Sequence, residues 1–253
     1  MDTDPATPES STSVGSVEPV EAAEIPSGGG PLVYVEDLEQ PVLRLDDHHH
    51  LSRVRRVRDG DPLILGDGAG HWRHARMAGE SPEPTGARTF VARPVPAVGV
   101  AFALVKGAKP ELVVQKLTEL GIDWICPFEA ARSVVRWDAG KADGAQARLL
   151  KVAREAAMQS RQPWLPVVAP VATFADVARR PGAALADRGG EPMGLDRPLV
   201  LVGPEGGWDA TEQAADLPRV SLSPGVLRAE TAAIVAGALL VALRSGCVSE
   251  RGS

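Results

Sequence analysis

The sequence predicts an α/β protein with a mainly parallel sheet, preceded by a smaller all-β part. Two apolar runs, Val100-Ala-Phe-Ala-Leu-Val105 and Pro198-Leu-Val-Leu-Val202, have the composition of strands buried on both faces. Such runs alternate with helical patterns through the C-terminal part, as a parallel sheet with crossover helices requires. Before Gly99 the rhythm differs, with short apolar segments separated by Gly, Asp and Pro.

In the first part, Leu32-Val-Tyr-Val35, Pro62-Leu-Ile-Leu65 and Thr89-Phe-Val-Ala92 read as strands of a small barrel or sandwich. Gly60-Asp61 and Gly66-Asp-Gly-Ala-Gly70 supply turns, and a short helix is expected around His49 to Arg58. The Pro-rich stretch from Arg93 to Gly99 reads as a linker. Beyond it, Pro110 opens a helix, Val113, Leu117 and Leu120 form its apolar stripe, and Gly121 closes it. Ile122 to Pro127 is a strand, and a longer helix runs from about Lys141 to Ser160. Leu165 to Val168, a helix at Phe174 to Ala178 and a strand at Ala183 to Ala186 follow. The strand ending at Val202, a helix at Asp209 to Ala215, the strand Val220 to Leu222 and a final helix from Arg228 to Arg244 complete the order. The expected division is a leader over 1–30, a barrel over 31–97 and an α/β domain over 98–253.

Of 253 residues, 44% are hydrophobic, enough for one large or two modest cores. No apolar run approaches the roughly 18–20 residues of a membrane span, and the N-terminus lacks the basic and apolar regions of a secretory signal. The leader holds Asp2, Asp4, Glu9, Glu18, Glu21 and Glu24 and no Lys or Arg. It therefore accounts for the whole formal charge of −6 and leaves a neutral body, on which basic patches remain free to meet a nucleic acid. Cys126 and Cys247 form no C-x-x-C pair and are expected as buried or free thiols in a reducing cytoplasm.

Two segments carry most of the chemistry: Leu201-Val-Gly-Pro-Glu-Gly-Gly207 and Leu222-Ser-Pro-Gly-Val-Leu-Arg-Ala-Glu-Thr-Ala232. Each is a Gly- and Pro-rich loop after an apolar strand, able to offer bare backbone to a small molecule. Neither the dinucleotide nor the P-loop fingerprint occurs, so a nucleotide-like ligand would sit in another kind of pocket. Arg228 stands at a helix N-terminus, where the dipole disfavours a cation, so local stability does not explain it. Glu230 and Thr231 have ordinary explanations as first-turn residues. Lys106, Lys109 and Lys116 are a solvated face or a basic rim for phosphates, the first being the plainer account. Glu155, Gln159 and Arg161 cluster at a helix end and acquire a role only if the fold brings them to the Gly loops. In Asp46-Asp-His-His-His50 consecutive side chains diverge, so no metal site is expected. His49 or His50 with Arg53, Arg55, Arg56 and Arg58 forms a positive surface, or else a solvated edge paired with Asp59 and Asp61.

Five blocks, His49-His-Leu-Ser-Arg-Val-Arg-Arg-Val-Arg-Asp-Gly-Asp61, Val114-Gln-Lys-Leu-Thr-Glu-Leu-Gly121, Glu155-Ala-Ala-Met-Gln-Ser160, Val202-Gly-Pro-Glu-Gly-Gly207 and Leu227-Arg-Ala-Glu-Thr-Ala232, occur in the order seen in one family. Together they resemble the RsmE family of 16S ribosomal RNA uridine-N3 methyltransferases, of the SPOUT class with a C-terminal trefoil knot. The resemblance implies a PUA-like RNA-binding β-barrel, a knotted α/β domain that binds S-adenosylmethionine, and a homodimer with its site at the subunit interface. It implies methylation of N3 at a specific uridine, position 1498 of that RNA, in the small ribosomal subunit. Carried onto this chain, Val202, Gly203, Gly207, Leu222, Ser223, Gly225, Leu227 and Arg228 would line the cofactor. Arg228 and Glu230 would act in catalysis, and His49, Arg53, Arg55, Arg56, Lys106, Lys116 and Arg161 would contact RNA. One departure stands out: the family usually has Gly before the Arg that follows Gln-Ser, whereas Arg161 follows Ser160 directly. A ribose 2′-O methyltransferase of the same class and a non-catalytic ribosome-assembly protein are the alternatives.

Overall fold

A computed structural model describes residues 26–249 apart from 108 and 138. Most of the acidic leader lies outside the described residues. The chain forms two sheets. The first has the order β1 (Leu32–Tyr34), β2 (Pro62–Gly66), β3 (His71–Ala78), β4 (Ser81–Pro84), with β5 (Thr89–Phe90) also on β3. β1 and β2 are parallel, and β3 runs antiparallel to β2, β4 and β5. Between β1 and β2, helix α1 (Leu45–His49) continues as a π-helical turn over His50–Val54, starting and ending earlier than the predicted helix. Neither β3 nor β4 is predicted by the sequence. In β3 the buried residues Trp72, Ala75 and Met77 break strict alternation and are interleaved with His and Arg, which hides a strand fixed by its partners.

The second sheet is parallel throughout, ordered β12 (Arg219–Ser221), β10 (Ala183–Pro192), β11 (Leu199–Val202), β6 (Gly99–Ala103), β7 (Trp124–Glu129), β8 (Val167–Val168), with β9 (Ala172–Thr173) also on β7. β6 shows why these strands read as unbroken apolar runs. Val100 and Phe102 pack into one core with Val113, Leu117, Leu149, Ala233 and Leu240. Ala101 and Ala103 pack into another with Phe128, Val177, Leu185 and Trp208. The first core lies under α2 (Lys109–Leu120), α3 (Ala139–Gln159) and α6 (Ala229–Arg244). The second holds residues of α4 (Phe174–Ala178) and of the loop leading to α5 (Ala210–Gln213).

α2 ends as its sequence foretells. Gly121 takes φ +85°, its N–H donates to the Thr118 carbonyl, and the Ile122 N–H donates to the Leu117 carbonyl. α2 and α6 approach so closely that a Cβ on Gly237 would sit 2.4 Å from Leu117 Cδ2. Residues 154–165 join the two sheets. The Arg154 guanidinium donates to the Tyr34 carbonyl and to buried Asp47, Trp164 Nε1 donates to the Val91 carbonyl, and Ala157 packs beneath Tyr34 and Trp72. Cys126 is buried, which pushes its thiol up to about 12, and Cys247 is exposed. No described helix is long and apolar enough to cross a membrane.

Candidate active site

The carboxyl ends of β10, β11 and β12 share one edge of the parallel sheet, the side on which open α/β sheets receive ligands. A cleft of about 260 Å³ opens there. Val202, Gly203 and Gly207 line it from the loop after β11; Leu222, Ser223, Gly225 and Leu227 line it from the loop after β12. The fold thus brings seven of the eight expected cofactor residues around one space. Arg228 is not in the lining. Its neighbours Leu227 and Ala229 line the cleft, and Arg228, the N-cap of α6 with extended backbone (φ −65°, ψ 152°), is exposed beside it.

The glycines serve different ends. Gly207 has φ +69°, a left-handed conformation in the turn closed by its N–H on the Pro204 carbonyl. A Cβ on Gly203 would come 3.0 Å from the Trp208 ring, which is fixed by its Nε1–H on the Ala186 carbonyl and by stacking on Phe128. Gly225 has neither constraint: its φ is not left-handed, and a Cβ would meet nothing nearer than Ser223 Oγ at 3.9 Å.

Asp187 and Arg188 from the middle of β10, at its register shift against β12, Glu205 and Trp208 from the first loop, and Ala229 and Ala232 from α6 also line the cleft, and sequence reasoning missed them. The signal for the β10 pair was Ala186-Asp-Arg-Gly-Gly190, glycine-rich after an apolar strand like the two loops that were recognised. The first loop is clasped from both sides. Arg132 donates to the Gly206 carbonyl at 3.0 Å, and buried Glu212 accepts from the Ala131 N–H at 2.8 Å. On the other side Lys109 Nζ reaches Glu205 at 3.4 Å and both carboxylate oxygens of Glu230 at 3.2 Å.

These contacts set the ionisation of Glu230. Burial pushes its pKa up, but its own backbone N–H, Lys109 and then Arg228 outweigh this and hold it below the usual carboxylate range. Lys109 is correspondingly raised, chiefly by its hydrogen bond to Glu230. A carboxylate so held is a weaker proton acceptor, which suits a counter-ion better than the expected base.

The expected RNA residues do not gather into one patch. His49 and Arg55 line a second, larger cleft of about 920 Å³ between α1 with its π-helical turn and helices α2 and α3. Gln115, Glu119, Glu155 and Gln159 line the same space, so the fold brings these polar residues together but away from the Gly loops. Arg53 and Arg56 are exposed beside it, and Lys106 is exposed beyond the end of β6. Lys116 is paired with Glu119 at 2.7 Å. Arg161 departs furthest from its expected role: its guanidinium donates to the carbonyls of Pro26, Gly28 and Gly30, tying down the segment before β1. Among the described residues no group of three or more His, Cys, Asp or Glu could hold a metal ion.

Comparison with known proteins agrees with this geometry. Residues 92–241 match the family model described as an RNA methyltransferase domain, and residues 44–84 match the RNA methyltransferase PUA domain. Ribosomal RNA small subunit methyltransferase E of Mycobacterium tuberculosis is 36% identical over 236 residues, covering 81% of this chain and 88% of the relative. The Bacillus subtilis protein of the same name is 32% identical, covering 76% and 85%. A methyltransferase structure from Legionella pneumophila, in complex with bound SAM, superposes with a TM-score of 0.74 at 25% identity over 83% of this chain and 96% of its own. A Neisseria gonorrhoeae structure of ribosomal RNA small subunit methyltransferase E, 24% identical, shares the fold with a TM-score of 0.68, covering 85% and 97%. A SPOUT-class α/β domain behind a PUA-like sheet, with 36% identity across four-fifths of its length, places this chain in the ribosomal RNA small subunit methyltransferase E family.

Proposed function

We propose that this protein transfers a methyl group from S-adenosylmethionine to N3 of one uridine in 16S ribosomal RNA, acting in the cytoplasm as a homodimer. The observation that carries the proposal is the cleft at the ends of β10, β11 and β12. Apolar Val202, Leu222, Leu227, Ala229 and Ala232 surround backbone at Gly203 and Gly225, and at its edge stand Asp187, paired with Arg219, Glu205, paired with Lys109, and Arg188. An apolar slot with backbone partners suits a purine, and the charged groups at its edge suit the polar methionine end of the cofactor. When bound, S-adenosylmethionine supplies the electrophilic methyl group. Val226, apolar and 79% exposed on the second loop, is a surface that a second copy of the chain would cover.

The chain's own residues do the rest by alignment and electrostatics. The uridine imide becomes a competent nucleophile once N3–H is lost, and negative charge spreads to the ring oxygens. Arg228, exposed beside the cleft and without a side-chain ion pair among the described residues, stabilises that charge. Arg53, Arg55 and Arg56 hold phosphates, with Lys106 as a further contact. The larger cleft, lined by Gln115, Glu155 and Gln159 beside Arg55, offers acceptors to the N–H edges of an unstacked base next to a phosphate contact.

The direct test is methyl transfer from labelled S-adenosylmethionine to small ribosomal subunits of a strain lacking this protein, read by nucleoside mass spectrometry. 3-Methyluridine is expected, whereas a 2′-O-methylated nucleoside or no transfer overturns the proposal. Arg228→Ala is expected to lower kcat about 10²–10³-fold with the fold intact, and a loss below about tenfold removes Arg228 from this role.

A further inference from the structure

Glu230 occupies the second position of α6, two residues after Arg228, which forms the helix N-cap. It is mostly buried, with its side chain 13% exposed, and it is ionised. Arg228 is near enough to contribute to that ionisation, so Glu230 is an anion that its guanidinium can turn to. An Arg–carboxylate pair is the stronger, fork-shaped kind of ion pair and would occupy the donors that the reaction needs. Instead Lys109, reaching across from the start of α2, places Nζ 3.2 Å from both oxygens of Glu230. Arg228 makes no side-chain hydrogen bond or ion pair among the described residues.

We infer that Lys109 is a positioning residue for the methyl transfer: by bracketing both oxygens of Glu230 it keeps Arg228 from folding back onto its helix and leaves the guanidinium available to the RNA base. The inference rests on the role proposed for Arg228. The spacing makes sense of the contact. A compact ammonium on a long stem can satisfy a carboxylate at a helix N-terminus without a fixed fork geometry. It also reaches Glu205 at 3.4 Å, so one cation ties the first Gly loop to α6. Lys109 is not itself part of the cofactor cleft lining, which it meets only through Glu205, and it does not contact the substrate. Its effect passes through Glu230 to Arg228.

Two measurements on the full-length protein test this. The first compares methyl transfer by the wild type, Lys109→Met, Lys109→Arg and the double variant Lys109→Met/Glu230→Gln, each checked by thermal melting. Lys109→Met is expected to lose about tenfold in kcat with the KM for S-adenosylmethionine little changed, while Lys109→Arg retains activity. The double variant should regain most of the loss, because an uncharged glutamine no longer captures Arg228. An unchanged kcat in Lys109→Met, or a double variant no better than the single, overturns the inference. The second measurement needs no methyl transfer: the rate at which phenylglyoxal modifies Arg228, followed by peptide mass spectrometry. That rate should fall in Lys109→Met and recover in the double variant. Equal rates in all three proteins refute the role of Lys109 even where the wild type is active. Failure of the wild type to methylate ribosomal subunits refutes the proposed reaction and leaves the labelling result to decide Lys109.

Discussion

At the scale of single residues, the glycines of the two loops separate constraint by the fold from accommodation of a ligand. Gly207 is required by its backbone, at φ +69°, and Gly203 by the Trp208 ring 3.0 Å from where a Cβ would lie. Gly225 is required by nothing in the protein itself. Gly207→Ala is therefore expected to lower stability by about 1–2 kcal/mol, the cost of a left-handed alanine. Gly225→Ala should leave stability within about 0.5 kcal/mol of the wild type yet weaken S-adenosylmethionine binding about tenfold or more. Urea unfolding with isothermal titration calorimetry distinguishes the two effects. Wild-type cofactor affinity in Gly225→Ala would mean that the ligand does not approach the backbone there. The sequence disclosed both loops but not their guardians, because Trp208, Arg132 and Lys109 become relevant only through contacts with residues far away along the chain.

At the scale of elements, the end of α3 accounts for the departure from the family pattern at Arg161. Arg161 has φ +56°, its N–H donates to the Met158 carbonyl, and the Gln162 N–H donates to the Ala157 carbonyl. These are the two bonds of a Schellman helix end, whose left-handed residue is ordinarily glycine. Arg161 thus fills the place of the family's glycine, and its guanidinium gains three carbonyl partners at Pro26, Gly28 and Gly30. Arg161→Ala should keep the backbone strain and lose those bonds, whereas Arg161→Gly loses the bonds but relieves the strain. The glycine variant is expected to be the more stable of the two by about 1 kcal/mol in urea unfolding. The reverse order would show that the left-handed geometry carries no cost here. The α/β elements were legible because burial on both faces and the glycine helix stop act locally. β3 was not, because its strand character comes from pairing with β2, β4 and β5 rather than from its own alternation.

At the scale of the whole molecule, the two sheets are held together by α3 and the segment after it. Asp47 is 7% exposed, and the Arg154 guanidinium binds both its carboxylate and the Tyr34 carbonyl. Removing one partner of such a pair strands the other, at a cost of about 3 kcal/mol. Arg154→Leu is expected to lose about that much stability and to separate unfolding of the first sheet from that of the second in differential scanning calorimetry. A single transition at the wild-type temperature would show that the apolar contacts of Ala157 and Met158 suffice. The motif Glu155-Ala-Ala-Met-Gln-Ser160 thus has two faces: Ala157 and Met158 enter the first sheet's core, while Glu155 and Gln159 line the larger cleft.

The sequence by itself determined the α/β class, the order of the parallel-sheet elements apart from the two-residue β9, the two Gly loops and the isolation of negative charge in the leader. Each of these follows from composition or short-range pattern. Only the tertiary structure decided that the loops after β11 and β12 meet across one cleft with Ala186, Asp187 and Arg188 of β10. It alone decided that Arg161 fastens the N-terminal segment, and that Glu230 pairs with Lys109 while Arg228 makes no ion pair among the described residues. The physical reason is range. Periodicity, turns and helix stops are settled within a few residues, whereas an ion pair such as Lys109–Glu230, 121 positions apart, exists only after the sheet has brought its ends together.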